Sequence, residues 1–388
     1  MTSSKRTLTP LYAAVQFFFW FAYGTAVNFA SVYLLACGLS NTAIGLISAA
    51  ACALSVLIQP ILAAWADREE SPSVKAILLA LTAALLAFGG LLILAFGKGA
   101  ALNGLFLGGA ILLVQIGLPF VNALATESLN AGERLNFSLA RGFGSIGYAV
   151  MSVSVGALIA RFGPIVAPWA VMAVSGLLLM AVGLFPFAKR HRDGRDAKEG
   201  ADGLTGFLRR YPAFALTLLG CVLIYTSHVL INSFVYQIVV SKGGNSEHMG
   251  IAMGLAGILE VLSMALFSTL LKWKGSRFWF RISGLFFTLK ALCSLLAPNM
   301  GAFYLVQLIQ PLGWGLMTVA SVYYVNEIMR ERDRIKGQAY MTMALSVGTI
   351  VGSLCGGVLI DALGVNGMLI AAVCCGGAGS LIVLRKEG

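Results

Sequence analysis

The sequence predicts an all-α membrane protein with twelve transmembrane helices in two pseudo-symmetric six-helix bundles. Three observations support this fold class: the composition, the distribution of basic residues and an internal repeat. Of the 388 residues, 59% are hydrophobic and only 11% are charged, and the mean hydropathy is +0.87. Soluble globular chains contain about 25% charged residues. A soluble fold could not bury this much apolar surface, so the chain requires lipid around it.

Apolar stretches of about 20 residues are long enough to cross the hydrocarbon core of a bilayer. The 45 glycines suit such spans, because small residues allow membrane helices to pack closely. We predict spans at residues 11–35, 41–65, 76–97, 101–129, 136–160, 164–188, 213–240, 247–271, 278–297, 301–328, 338–360 and 365–384.

The basic residues fall almost entirely on one side of these spans. With a cytoplasmic N-terminus, 22 of the 27 Lys and Arg residues lie on the cytoplasmic side, and only Lys98, Arg161 and Lys242 lie on the other. This asymmetry follows the positive-inside rule and predicts a plasma (inner) membrane protein with both termini in the cytoplasm. The net charge of +11 therefore indicates topology, and no nucleic-acid-binding motif accompanies it.

A charged segment interrupts the apolar pattern in the middle of the chain. It reads KRHRDGRDAKEGADGLTGFLRRYP from residue 189 and is typical of a solvated linker. The sequence thus predicts an N-terminal six-helix bundle at 1–188, a cytoplasmic linker at 189–211 and a C-terminal six-helix bundle at 212–388.

An internal repeat supports the division into two halves. The segment that starts at Glu133 aligns with the segment that starts at Asp333, and this alignment matches Arg134 with Arg334. Parallel repeats of this kind hold a solute site near the bilayer midplane.

Three ionised side chains fall within predicted spans: Arg141, Glu260 and Lys290. Each costs about 2.5 to 3.5 kcal/mol at the centre of a membrane helix, so each should face a partner or water. Glu260 and Lys290 lie on consecutive spans and could pair. Such a pair either fixes helix packing or allows Glu260 to exchange a proton as its surroundings change.

The seventh span is unusually polar, with His228 and Asn232 in the segment IYTSHVLINSFVYQ. His228 is a candidate proton relay, although a histidine bonded to a neighbouring helix is the commoner case. Asn28 on the first span is a candidate for the same site.

The first two spans resemble those of the lactose permease group, the oligosaccharide:proton symporters of the major facilitator superfamily. The resemblance rests on FFFWFAYG and on the pattern QPxxxxxxDR, formed by Gln59, Pro60, Asp67 and Arg68. In that group the acid of this signature anchors a cytoplasmic gate, so the resemblance implies a gate at Asp67 and Arg68. Here Ala63 replaces the usual glycine, and the Gly-Arg-Lys run that normally follows is missing.

Two further segments extend this resemblance. LARGFGSIGY is similar to the helix that carries a sugar-binding arginine and a stacking aromatic residue, which implies these roles for Arg141 and Tyr148. GILEVLSMALF is similar to the helix that carries a substrate-binding glutamate, which implies that role for Glu260 with Ser263 beside it. Lys290 supplies a cation on the next helix. The aromatic-acid permeases typified by phenylpropionate transporters share the GILEVLSMALF pattern.

The tenth span departs from the permease pattern. It reads QLIQPLGWG, with Gln310 and Gly313 where that group has a histidine and a proton-carrying glutamate. Either Glu260 carries the proton itself or transport is not proton-driven. Gln307 and Gln310 remain able to hydrogen-bond a polar solute.

Glu127, near the inner end of the fourth span, is a candidate partner of Arg141 in proton coupling. A plain salt bridge across the short loop between their helices is an equally good interpretation, since the family's glutamate aligns with Glu127 only after a shift.

These patterns predict a secondary active transporter, with proton-coupled symport of a sugar or related polar solute as the first choice. The alternatives are a proton-driven exporter of amphipathic compounds and an aromatic-acid permease. No phosphate-binding loop, nucleophile elbow or metal-ligand cluster is present in the sequence, so we predict no enzyme, no cofactor and no metal. The expected partners are a small-molecule substrate, protons and the lipid bilayer, with no nucleic acid, and the protein is expected to be a monomer.

Overall fold

The computed structural model describes residues 7–66, 68, 70–187 and 204–385, with only the backbone described at 204–205, 262–265 and 268. All regular structure in this part of the chain is helical. The chain divides into two compact units, one formed by Met1–Arg192 with Gly244–Gly257 and the other by Asp193–Gly243 with Ile258–Gly388. The boundaries expected from the sequence, at 188 and 212, remain a prediction.

Seven helices of the first unit fall on the first six predicted spans, because the first span is broken. A bend of 43° at Phe29 separates α1 from α2. The bounds are α1 Thr9–Asn28, α2 Ala30–Ala36, α3 Asn41–Ala66, α4 Val74–Ala95, α5 Ala100–Asn130, α6 Phe137–Phe162 and α7 Val166–Leu184.

The remaining helices begin at Leu204, which lies within the segment 189–211 that was predicted as a linker. Their bounds are α8 Leu204–Arg210, α9 Pro212–Asn232, α10 Val235–Ser241, α11 Ser246–Trp273, α12 Ser276–Leu296, α13 Met300–Val306, α14 Leu316–Ile328 and α15 Arg334–Leu384. The last of these combines two helices that meet at Gly364, whose φ of 73° lies in the left-handed region that glycine adopts readily. The predicted spans 338–360 and 365–384 therefore both lie in α15.

Helix α1 is central to the first unit and packs against α5, α6 and α7. Its buried face carries Tyr12, Val15 and Phe19, each at most 2% exposed. On α6, a Cβ added to Gly147 would lie 2.3 Å from the carbonyl oxygen of Phe17. Only glycine allows the two backbones to approach this closely.

The beginning of α11 packs on α6 in the same way. A Cβ at Gly250 would lie 2.2 Å from the carbonyl oxygen of Ser152, and one at Gly156 would lie 2.6 Å from that of Ser246. The Ser246 hydroxyl also donates to the Gly156 carbonyl at 3.1 Å. This contact explains why Gly244–Gly257 groups with the first unit while the rest of α11 groups with the second.

In the second unit, α9 packs along α15, and α12 packs against both. A Cβ at Gly379 would lie 2.6 Å from the carbonyl oxygen of Gly220, so this crossing is also a backbone contact. Beside it, the buried rings of Phe280 and Tyr324 stack at 4.4 Å and hold α12 against α14.

The tenth predicted span is not a continuous α-helix. A 3₁₀ turn at Gln307–Ile309 and a π turn at Pro311–Gly315 separate α13 from α14. Pro311 has no N–H to offer the carbonyl four residues earlier, so the regular ladder is interrupted there. Turns of the π type concentrate at functional sites.

Among the described residues, nine helices are long and apolar enough to cross a membrane, or ten if α1 and α2 form one broken span. Each of the twelve predicted spans contains helix, but this count does not confirm the number twelve. The surface is strongly apolar: Ile61 is 71% exposed, Leu105 68% and Leu305 67%. Such side chains are stable in contact with lipid and would be a liability in water.

Candidate functional site

The second unit contains a hydrogen-bonded chain of polar side chains from three helical segments. The Lys290 ammonium on α12 donates to Oε1 of Gln310 at 2.5 Å, and Nε2 of Gln310 donates to Oε1 of Glu260 on α11 at 2.7 Å. Lys290 is 3% exposed and Gln310 is 6% exposed, whereas Glu260 is half-buried. The structure thus brings Glu260 and Lys290 together with Gln310 as the bridge between them.

The irregular tenth span places Gln310 in this bridge. Gln310 lies between the 3₁₀ turn and the π turn, where the helix changes its pitch. Gln307, also predicted to bind solute, instead donates to the carbonyl of Phe303 in its own helix at 3.2 Å. Gln310, in contrast, contacts charged side chains of two other helices.

His228 and Asn232 lie together on α9, one turn apart. Asn232 Nδ2 lies 2.7 Å from His228 Nε2, and the imidazole stacks on Trp314 at 4.4 Å with 8° between the ring planes. The ring also meets the edge of Phe287 at 5.2 Å. Phe287 precedes Lys290 by one turn of α12, so the imidazole belongs to the same cluster as the polar chain.

In the first unit, Arg141 lies over the face of Trp20, with its Cζ 4.5 Å from the ring centroid. The Trp20 indole donates to Gln16 at 3.1 Å, and Gln16 donates to the Tyr12 hydroxyl at 2.6 Å. Tyr12 in turn donates to the carbonyl of Val121 at 3.0 Å. The guanidinium is therefore placed by an aromatic face that a buried network holds in a fixed orientation.

Tyr148 lies on α6 two turns after Arg141, and its hydroxyl accepts a hydrogen bond from Asn28 on α1 at 2.8 Å. Both side chains are partly exposed. The structure thus brings together two predicted solute-binding residues of the first unit, on the neighbouring helices α1 and α6.

Few or no contacts are described for the other predicted site residues. Asp67 of the gate signature and the side chain of Ser263 lie outside the described residues. Arg68 is exposed, and its backbone forms the turn that follows α3. Glu127 is half-buried near the end of α5, where its carbonyl accepts from the N–H of Ala131. The roles of these residues stay predictions.

Lys242 follows α10 and lies outside the membrane spans. Its ammonium donates to the carbonyl of Ala297 at 2.6 Å, at the C-terminus of α12, where a helix attracts positive charge. Partial burial lowers the pKa of this lysine. This residue has a structural role and takes no part in the Lys290 cluster.

No group of three or more His, Cys, Asp or Glu side chains in the described ranges is arranged to hold a metal ion. The seven cysteines are free thiols.

Two contact residues were not predicted from the sequence, Trp20 and Trp314. Trp20 lies in an aromatic run that is typical of a packing or lipid-facing surface, so nothing in the local pattern sets it apart. Trp314 follows Gln310 by four residues. In an α-helix this spacing places two residues on the same face, and it is the sequence feature that could have linked Trp314 to Gln310.

Comparison with known proteins agrees with this architecture. The sequence matches the MFS_1 like family over residues 11–369. No curated protein sequence matches the chain significantly. The fold is similar to crystal structures of the nucleoside transporter NupG, with a TM-score of 0.83 at 15% identity for a mutant form and 0.80 at 16% for a second structure. Each comparison covers 97% of this chain and 98% of the other.

The fold also resembles an auto-inhibited peptide transporter of the POT family, with a TM-score of 0.70 at 12% identity, covering 98% of this chain and 97% of that one. The family match extends over nearly the whole sequence. The chain therefore belongs to the MFS_1 like family of the major facilitator superfamily and is a multi-pass membrane transporter, not an enzyme.

Proposed function

We propose that this transporter moves a small polar solute, a sugar or a related hydroxylated compound, together with a proton by alternating access. The observation that carries the proposal is the chain from Lys290 through Gln310 to Glu260. A carboxylate and an ammonium in a membrane-spanning unit are costly, and transporters keep such groups where they serve a transport or proton pathway.

Glu260 is the proposed proton carrier. It is half-buried, whereas Lys290 and Gln310 are almost fully buried, so Glu260 is the member of the chain that water can reach. A carboxylate in this position changes its proton affinity when its contact with water or with a cation changes. Conformational change can therefore drive the loading and release of a proton.

The proposed solute contacts are hydrogen-bonding groups beside charged ones. In the second unit they are Asn232 and the imidazole of His228, and in the first unit Arg141, Tyr148 and Asn28. Amides and hydroxyls that both donate and accept hydrogen bonds suit a solute with several hydroxyl groups.

A nucleoside is a second candidate solute, because the fold is similar to that of the nucleoside transporter NupG. A nucleoside would use the same polar groups for its ribose, and aromatic side chains such as Trp314 for its base. The predicted alternative of an amphipathic exporter requires a largely apolar site, which the polar cluster of the second unit does not favour.

Uptake into proteoliposomes with an imposed pH gradient tests the proposal. With the inside alkaline, we expect accumulation of at least one member of a panel of sugars, sugar derivatives, nucleosides and aromatic acids. Glu260→Gln should abolish accumulation against a gradient. Glu247→Gln is the matched control, because Glu247 is an exposed carboxylate at the start of the same helix and should behave as wild type.

If Glu260→Gln accumulates solute as well as the wild type does, then Glu260 is not the proton carrier. If no pH gradient drives accumulation of any solute, the protein is a facilitator or an exporter.

A further inference from the structure

We infer that the transported solute is a hydroxylated carboxylate, so that each proton enters together with one negative charge. This inference rests on the proposed proton coupling and names the chemical class of the solute. It follows from the charges of the Lys290–Gln310–Glu260 chain.

Within these three side chains, the positive charge of Lys290 is balanced only when Glu260 is ionised. Lys290 contributes one positive charge in a site where its side chain is 3% exposed, and Glu260 contributes one negative charge at the other end of the bridge. Gln310 is neutral and contributes none. When Glu260 takes up a proton, the buried ammonium loses its counter-charge, and an unbalanced buried charge is strongly unfavourable.

A solute carboxylate restores this balance. Without solute and with Glu260 ionised, the three side chains have no net charge. With Glu260 protonated and a solute carboxylate bound, the net charge is again zero. When only the proton or only the carboxylate is bound, the site carries a net charge. Because a membrane-spanning unit penalises net charge in its interior, only the empty and doubly loaded states should change conformation readily. A neutral solute would leave the positive charge of Lys290 unbalanced in the loaded state.

Gln310 also indicates where the solute carboxylate would bind. Its Oε1 faces Lys290 and its Nε2 faces Glu260, so the amide can pass a hydrogen bond from the ammonium to whichever carboxylate is present. A protonated Glu260 needs this N–H less than an ionised one does. The solute carboxylate can then accept the N–H in its place.

The titratable groups of α9 that the structure describes beside the chain, His228 and Tyr225, do not supply the missing charge. His228 on α9 lies against Phe287 and Trp314, and its Nε2 lies 2.7 Å from the amide nitrogen of Asn232. A neutral imidazole can accept the amide N–H at this distance. Tyr225 on α9 meets the Trp314 ring edge-on. Gln310 and Trp314, which the tenth span contributes to this cluster, carry no charge.

The test compares solutes that differ only in the carboxylate. The probes are D-glucuronate with D-glucose, D-galacturonate with D-galactose and quinate with myo-inositol, each offered to proteoliposomes that contain the full chain. We expect a pH gradient to drive accumulation of a carboxylate member and not of its neutral partner. One proton with one carboxylate moves no net charge, so an imposed potassium diffusion potential should leave the rate unchanged.

Substitutions at Lys290, Lys242 and Glu260 test which side chains are responsible for carboxylate uptake. Lys290→Gln should weaken the apparent affinity for the carboxylate on the order of thirtyfold, as expected for removal of one partner of a buried charge pair, and Lys290→Arg should restore part of it. Lys242→Gln removes a lysine of the same unit that lies outside the cluster, and it should leave uptake unchanged. Glu260→Gln mimics the protonated carboxyl, so it should still exchange internal for external carboxylate, now independently of pH.

The possible outcomes distinguish the proposed proton coupling from the proposed carboxylate solute. Accumulation of a neutral probe that an inside-negative potential accelerates, without accumulation of any carboxylate, overturns this inference and leaves proton coupling intact. Failure of every probe to respond to the pH gradient overturns both. Should Lys290→Gln not fold, carboxylate exchange by Glu260→Gln decides the matter, and its absence contradicts the inference.

Discussion

Gln310 has both ends of its side-chain amide in contact with charged groups, and its removal would affect two ionised side chains at once. A leucine at this position would leave the Lys290 ammonium and the Glu260 carboxylate without the groups that now join them. Hydrogen bonds to charged groups contribute about 1.5 to 3 kcal/mol each. The bridge is therefore a stabilising element as well as a proposed part of the transport site.

We predict that Gln310→Leu lowers the free energy of unfolding by roughly 3 kcal/mol, because it removes two hydrogen bonds to buried or half-buried charges. Gln307→Leu is the matched control. Gln307 is equally buried on the same span, but its described hydrogen bond goes to the uncharged carbonyl of Phe303, so its loss should cost about 1 kcal/mol. Unfolding in detergent micelles measures both. Equal losses for the two variants would show that the bridge adds no stability.

The charged members of this site stand out in the sequence more clearly than the neutral ones. Glu260 and Lys290 stand out because ionised residues are rare in membrane spans. Gln310 was predicted to hydrogen-bond the solute, but its place between the two charges was not predicted, because it depends on a change of helical pitch. Trp20 has no distinguishing sequence signal, since its contact with Arg141 arises from the packing of α1 on α6.

At the scale of helices, close crossings depend on glycine. The contact of α11 with α6 is made by backbone atoms at Gly250 and Gly156, and backbone cannot move aside as a flexible side chain can. Hydropathy predicted where the helices lie. It did not predict the breaks at Phe29, in the tenth span or between α9 and α10, because a short interruption barely changes an average over about 20 residues.

We predict that Gly250→Ala destabilises the protein by about 2 kcal/mol, since the added methyl group would lie against the Ser152 carbonyl and force the helices apart. Gly142→Ala on α6 is the control, because a Cβ there meets open space. That substitution should be neutral or stabilising by up to about 1 kcal/mol, as alanine is the better helix former. Thermal unfolding of the two variants measures the difference, and a Gly250→Ala protein as stable as Gly142→Ala would disprove the close crossing.

For the whole molecule, the distribution of Lys and Arg predicts the orientation in the membrane. The family match and the apolar helices establish a multi-pass membrane protein, and the orientation remains a prediction from the positive-inside rule.

Fusions at the C-terminus test this orientation. We predict that a green fluorescent protein attached after Gly388 fluoresces and that alkaline phosphatase at the same place is inactive, because both report a cytoplasmic C-terminus. A fusion in the predicted external loop at Lys98 should give the opposite pattern. An active phosphatase at the C-terminus would reverse the proposed topology.

The proposed transport cycle requires that Glu260 take up a proton each time solute enters. The most direct measurement is the pH of a weakly buffered medium when solute is added to proteoliposomes without any imposed gradient. We predict that the medium becomes more alkaline on addition of a transported solute, with the wild type and with Glu247→Gln, and that Glu260→Gln gives no change. Solute entry by the wild type without alkalinisation would contradict proton coupling at Glu260.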